Sequence, residues 1–145
     1  GKASLAKVPL FGYMFRGLYI SVDRESRKSR YNTMIECYKA LDQNISIGIF
    51  PEGTIPKDGT FYMIPFKEGA FRMAIEKRVP IVPVTIPFNW IILPDDGKVM
   101  PRRHLMKMIL HEPIDTKGMA EDQIKELSDK TFNIIQEELI RQNQR

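Results

Sequence analysis

The feature that most constrains this chain is an order of segments: an apolar run, Ile45–Phe50 (ISIGIF), an amphipathic stretch, Phe66–Arg78 (FKEGAFRMAIEKR), and a β-branched run, Val79–Ile86 (VPIVPVTI). Runs without polar alternation are strands covered on both faces, and a helical period between two of them makes an α/β sheet. In the last run Pro80 and Pro83 withhold two ladder donors, which confines it to a strand start, a bulge or a sheet edge.

The rest of the chain extends this pattern. Ser4–Arg16 has helical spacing broken by Pro9 and Gly12, and Leu18–Val22 reads as a strand ending in Asp23-Arg24. Tyr31–Leu41 places Met34, Ile35, Cys37, Tyr38 and Leu41 around one helical face. Asp95-Asp96-Gly97 is a turn, Leu105–Leu110 a strand, and Met119–Gln142 a helix with acid enriched at its start. No repeat, linker or low-complexity tract interrupts the 145 residues, so the expectation is one domain spanning 1–145.

Composition narrows the function classes. At 43% hydrophobic and 28% charged the chain is too apolar for disorder. Its net charge of +4 is unevenly spread, with seven basic and two acidic residues in 1–30 against four and six in 119–145. The positive field at the N-terminal end attracts an anionic partner. Aromatics are not interleaved with that charge as base-stacking platforms, which argues against nucleic acid. A single cysteine, Cys37, excludes an internal disulfide and a multi-cysteine metal site. No apolar run reaches the ~18–20 residues of a membrane span, and the start lacks signal-peptide architecture.

Candidate chemistry sits at two strand ends. Phe50-Pro51-Glu52-Gly53-Thr54 follows a strand, where ligands bind in open α/β sheets. There Glu52 can accept hydrogen bonds from substrate hydroxyls, Gly53 lets a ligand approach the backbone, and Thr54 can serve an oxyanion or phosphate. The plain structural reading is a Pro-Glu-Gly turn with an exposed Glu. Arg24, followed by Arg27, Lys28 and Arg30, offers planar forks suited to phosphate, or is simply a solvated basic loop.

Neither histidine reads as a catalytic base. His104 stands beside cations that disfavour its protonation, and Pro113 separates His111 from Asp115, so both read as structural. No GxSxG, HExxH, P-loop or dinucleotide fingerprint occurs.

The series of blocks resembles the glycerolipid acyltransferase family, typified by lysophosphatidic acid acyltransferases. Lys2–Gly12 with Gly17 and Asp23-Arg24, then Phe50–Thr54, Phe66–Ala70 and Val79–Val84 carry the resemblance, which runs to about Ile114. It implies an α/β fold, a mixed sheet flanked by helices, and transfer of a fatty acyl group from acyl-CoA or acyl carrier protein to a lysophosphatidate-like acceptor in phospholipid biosynthesis. It also implies a peripheral position on the cytoplasmic face of a membrane, with no metal or bound cofactor.

By the same resemblance Arg24 meets the acceptor phosphate, Glu52, Gly53 and Thr54 form the acceptor end of the site, and Pro80 and Pro83 shape the pocket near the acyl donor. Two departures follow. The family's NHxxxxD motif, in which His takes the hydroxyl proton and Asp orients it, is absent; the expectation is that it lies upstream of Gly1, so that this chain is an N-terminally truncated fragment, inactive alone. Ile55 stands where the family commonly has arginine, which leaves Lys57 or Lys67 to compensate, or a different acceptor. The alternative is a non-catalytic module that binds an anionic lipid or phosphorylated metabolite. The apolar patch Phe88–Leu93 is either core or a lipid-interface element carrying Trp90.

Overall fold

A computed structural model of the chain describes residues 26–54, 61–94 and 100–144. It divides into two compact units, residues 1–48 and 49–145. The expected segments at 4–16, 18–22 and 95–97, and the candidates Arg24, Ile55 and Lys57, lie outside the described residues.

In the first unit, helix α1 runs Arg27–Asp42. Ser26 caps it, its Oγ accepting from the Ser29 N–H at 3.2 Å, which satisfies one of the amides a helix start leaves unpaired. The face anticipated from the sequence is the covered one: Cys37 is buried and Met34, Ile35, Tyr38 and Leu41 are half-buried. Burial pushes the Cys37 thiol above its ordinary value. Asn44, at φ 59°, ends the helix in the left-handed region, which Asn tolerates better than most residues, and the Ile45 N–H returns to Ala40 O at 2.9 Å.

The second unit has the order α2 (Gly69–Lys77), β1 (Val84–Thr85), α3 (Asn89–Ile92), β2 (Ile109–Leu110), a 3-10 turn (Glu121–Gln123) and α4 (Ile124–Asn143). It is an α/β arrangement whose described ladder is antiparallel, pairing Val84 with Leu110 and Thr85 with Ile109 and extended by a bridge between Ile81 and Ile114. Helix α4 packs against both α2 and β1. Their shared core is Phe71, Ile75, Ile114, Ile124 and Leu127, with Phe66, Ile81, Met119 and Ile134 at its rim.

Two polar devices close this core. Arg78, at φ 52°, turns the chain left-handed after α2, and the Val79 N–H reaches back to Ala74 O at 3.0 Å. The fully buried Thr116 hydroxyl lies 3.1 Å from Ala74 O and 2.9 Å from Val79 O, satisfying carbonyls at that helix end. Outside the core, Arg72 of α2 pairs with Glu121 of the 3-10 turn.

Four expectations change. Ile45–Phe50 forms no strand: Ile45, Ile49 and Phe50 are exposed, and none of the three carries a ladder bond among the described residues. An apolar run becomes a strand only when another segment supplies its hydrogen bonds. Val79–Ile86 contracts to the strand Val84–Thr85 and the lone bridge at Ile81 because Pro80 and Pro83 have no N–H to give; Pro83 contributes only its carbonyl, to the His111 N–H at 3.0 Å. Leu105–Leu110 pairs only at Ile109–Leu110. The helix anticipated at Phe66–Arg78 begins at Gly69, because Phe66 stays outside it and stacks on Phe71 and, edge-on, on Phe132.

Candidate functional site

Residues Phe50–Gly53 close a turn, the Gly53 N–H donating to Phe50 O at 3.2 Å. Gly53 sits at φ +67°, a conformation that costs any L side chain roughly 1 kcal/mol or more. The space over its Cα is also taken: a Cβ there would stand 2.9 Å from Lys67 Nζ and 3.0 Å from Lys67 Cε. Glycine at this position therefore supplies the backbone shape and lets the Lys67 side chain lie across the turn.

Lys67 is held there from its own backbone, its N–H donating to Pro51 O at 2.9 Å. In the same turn Glu52 is half-buried, and its Oε2 is buried without a hydrogen-bond partner. Burial pushes this carboxyl above its ordinary value, with a backbone hydrogen bond partly opposing. Thr54 is exposed at the end of the turn. One turn thus brings together a reluctant carboxylate, a hydroxyl and an ammonium, three groups able to hold a polyol phosphate.

Of the sequence-predicted residues, Glu52, Gly53, Thr54 and Lys67 come together. Arg24 lies outside the described residues. Pro80 is exposed and Pro83 fully buried in the approach to β1. Neither lines the open groove of about 360 Å³ bounded by Pro65, Phe66, Glu68, Ser128, Asp129 and Phe132.

Each histidine has a neighbour within the chain. His111 Nε2 is 2.8 Å from the buried Thr85 Oγ1, and His104 packs edge-on against Phe88 at 4.9 Å. Asp115 accepts from the Lys117 N–H at 3.0 Å, a local turn contact. Trp90 is half-buried and donates from Nε1 to Asn143 Oδ1 at 3.1 Å, which ties α3 to the end of α4. Among the described residues no cluster of His, Cys, Asp and Glu is placed to hold a metal ion, and no helix is long and apolar enough to cross a membrane.

The sequence reading passed over the surface of Met100–Leu110, taking only its C-terminal half, as a strand. The signal was present in the interleaving of Arg102, Arg103 and Lys107 with Met100, Leu105, Met106 and Met108.

Comparison with known proteins gives these groups a context. The model of the Acyltransferase family matches residues 1–87. The 1-acyl-sn-glycerol-3-phosphate acyltransferase of Haemophilus influenzae is 35% identical over 146 residues, covering 96% of this chain and 57% of that protein. The protein of that name from Escherichia coli is 32% identical over 145 residues, covering 96% and 56%. The chain spans about half the length of these curated relatives. The crystal structure of the 1-acyl-sn-glycerophosphate acyltransferase PlsC from Thermotoga maritima superposes with a TM-score of 0.80 at 24% identity, over 100% of this chain and 56% of that one, which shows a common fold.

Proposed function

This chain belongs to the Acyltransferase family, and from that premise we propose that it serves phospholipid biosynthesis by moving a fatty acyl group from acyl-CoA or acyl carrier protein to the free hydroxyl of a 1-acylglycerol-3-phosphate-like acceptor. The observation that carries this reading is the turn at Pro51–Thr54 with the Lys67 ammonium laid over Gly53. The Glu52 carboxyl, pushed above its ordinary value by burial, can hydrogen-bond the glycerol hydroxyls. Lys67 supplies the phosphate's counter-charge, Thr54 a hydroxyl donor, and Arg24 a second cation on the strength of its motif alone.

In the reaction the acceptor hydroxyl oxygen attacks the thioester carbonyl, an ester C–O bond forms, the C–S bond breaks, and the thiol leaves with the proton that a general base has taken from the hydroxyl. The 145 residues carry no NHxxxxD to act as that base. His111 is engaged with Thr85 and His104 rests on Phe88. The chain alone is therefore inactive, and its share of the work is to bind and orient the acceptor. The chemistry requires no metal or bound cofactor, and the lipid acceptor draws the protein to the cytoplasmic face of a membrane. The missing base also favours a second reading, a non-catalytic module for an anionic lipid or phosphorylated metabolite.

Acyl transfer to lysophosphatidate, measured with this chain and with the chain joined to whatever its gene encodes upstream of Gly1, separates the two. Activity confined to the longer form and lost in its Glu52→Ala and Lys67→Ala variants supports the enzyme. Activity in neither form, across acceptors and both donor types, leaves the binding module.

A further inference from the structure

Lys67 reaches its turn at the end of a segment, residues 61–66, that forms neither helix nor strand. What holds such a segment in place has to come from side chains and from other elements. Here the holder is α4. Phe132, Gln136 and Asn143 are spaced four and seven residues apart and so share one stripe of that helix, beside the buried stripe of Ile124, Leu127 and Thr131.

The stripe meets the segment at three places. Phe132 takes Phe66 edge-on, with ring centres 5.1 Å apart, and Gln136 Oε1 accepts from the Met63 N–H at 2.9 Å. Phe61 leans on Trp90, with ring centres 6.0 Å apart, and Trp90 is in turn bonded to Asn143.

Of these contacts the Gln136 bond does least for stability. Its Nε2 is buried without a hydrogen-bond partner, and an unmet buried amide costs at least as much as one hydrogen bond gains net. A methionine of similar size would avoid that cost but leave the Met63 N–H without its acceptor. What the carboxamide adds is direction: it fixes the chain four residues before Lys67, whose own N–H donates to Pro51 O and whose side chain lies over Gly53. An ammonium on a flexible stem binds an anion better when its backbone is already placed, because less freedom is then lost on binding.

We infer that Gln136 is a positioning residue of the acceptor site: by holding Met63 it fixes the segment that lays Lys67 across the turn, and so sets the affinity for the acceptor's phosphate. The inference rests on the reading that Lys67 meets that phosphate. It gives a part in binding to α4, which lies outside the stretch that the family model matches.

The test uses the full chain and two variants of similar size: Gln136→Met, which removes the acceptor, and Gln136→Glu, whose carboxyl accepts from the Met63 N–H in either ionisation state. Affinity is read by titration with 1-hexanoylglycerol 3-phosphate, and the hold on the segment by amide deuterium uptake at Met63 and Lys67 without ligand. Gln136→Met is expected to weaken binding about fivefold and to speed exchange at both amides about tenfold, with the melting temperature unchanged. Gln136→Glu restores both. In a Lys67→Ala background Gln136→Met weakens binding no further, because its effect passes through Lys67.

Unchanged affinity, or unchanged exchange at Lys67, in Gln136→Met overturns the inference. So does an equal loss of affinity with and without Lys67, or a melting temperature that falls in step with affinity, since either makes Gln136 a general support of the fold. A parent chain that does not bind the probe removes the acceptor reading and the affinity role with it, while exchange at Lys67 still decides whether Gln136 holds the segment.

Discussion

Two regions of the larger unit each take a carboxylate out of water and treat it in opposite ways. At the C-terminal end of α4 the buried Glu138 is gripped by Arg141, Nε to Oε2 at 2.8 Å and a terminal nitrogen to Oε1 at 2.7 Å, with Gln142 adding a bond at 2.6 Å. Those hydrogen bonds hold its carboxyl below the usual range. In the turn at Pro51–Thr54, Glu52 has no such partner at Oε2, and its carboxyl is pushed up. The helix end is satisfied within the chain, whereas the turn keeps an unmet polar group and a left-handed glycine. Unmet needs of this kind cost stability in the chain alone, which is the physical ground for the proposal that the turn binds the acceptor.

The comparison breaks first where packing is densest. Leu127→Ala empties a fully buried position in the core and is expected to cost about 2–5 kcal/mol in urea unfolding, with acceptor binding unchanged wherever the protein stays folded. Thr116→Val removes the hydroxyl shared by Ala74 O and Val79 O and is expected to cost about 1–3 kcal/mol in the same measurement.

In the turn the balance shifts from stability to binding. Gly53→Ala costs roughly 1 kcal/mol for its positive φ, and its methyl displaces the flexible Lys67 end. A titration with a lysophosphatidate analogue should weaken far more than that stability loss accounts for. An affinity unchanged by Gly53→Ala would remove Lys67 from the site.

The smallest effects are the two pH dependences, and they have opposite sign. Glu138 is lowered on folding, so its stabilisation is full above the unfolded carboxylate value of about 4.3 and is lost as pH falls through the folded value. Glu52 is raised, so its contribution is full below about 4.3 and is lost as pH rises through the folded value. Urea midpoints from pH 3 to 8 should therefore lose their acid-side drop in Glu138→Gln and their fall on the neutral side in Glu52→Gln. The same Glu52→Gln protein should be at least as stable as the parent at pH 7, and a less stable one would contradict the desolvated setting of that carboxyl.

How much of this was legible in the sequence follows from the range of the interactions. Helices α1, α2 and α4 were visible because a helical face is a local pattern, and their ends moved only by the residues that caps and aromatic stacking claim. Strands were less visible because a strand is a relation between distant segments: Ile45–Phe50 has the composition and shows no pairing among the described residues, while Val79–Ile86 pairs at Ile81, Val84 and Thr85, between and after its prolines. At the site, Glu52, Gly53 and Thr54 were readable as neighbours on a turn. That Lys67 folds over Gly53 was not, since its approach is fixed by a backbone bond to Pro51.

The bridge between Ile81 and Ile114 also bears on the order in which motions occur. Its two hydrogen bonds, at 3.0 and 2.8 Å, lie beyond the Val84–Leu110 pair with the bond from the His111 N–H to Pro83 O between them, so once the ladder is paired the bridge closes only a short further loop. Ile114 is buried in the core and Ile81 packs against it, so amide deuterium uptake at these two residues should report loss of that core. The amides of Gly53 and Lys67, which donate to Phe50 O and Pro51 O in the turn, should exchange through local opening while that bridge stays shut.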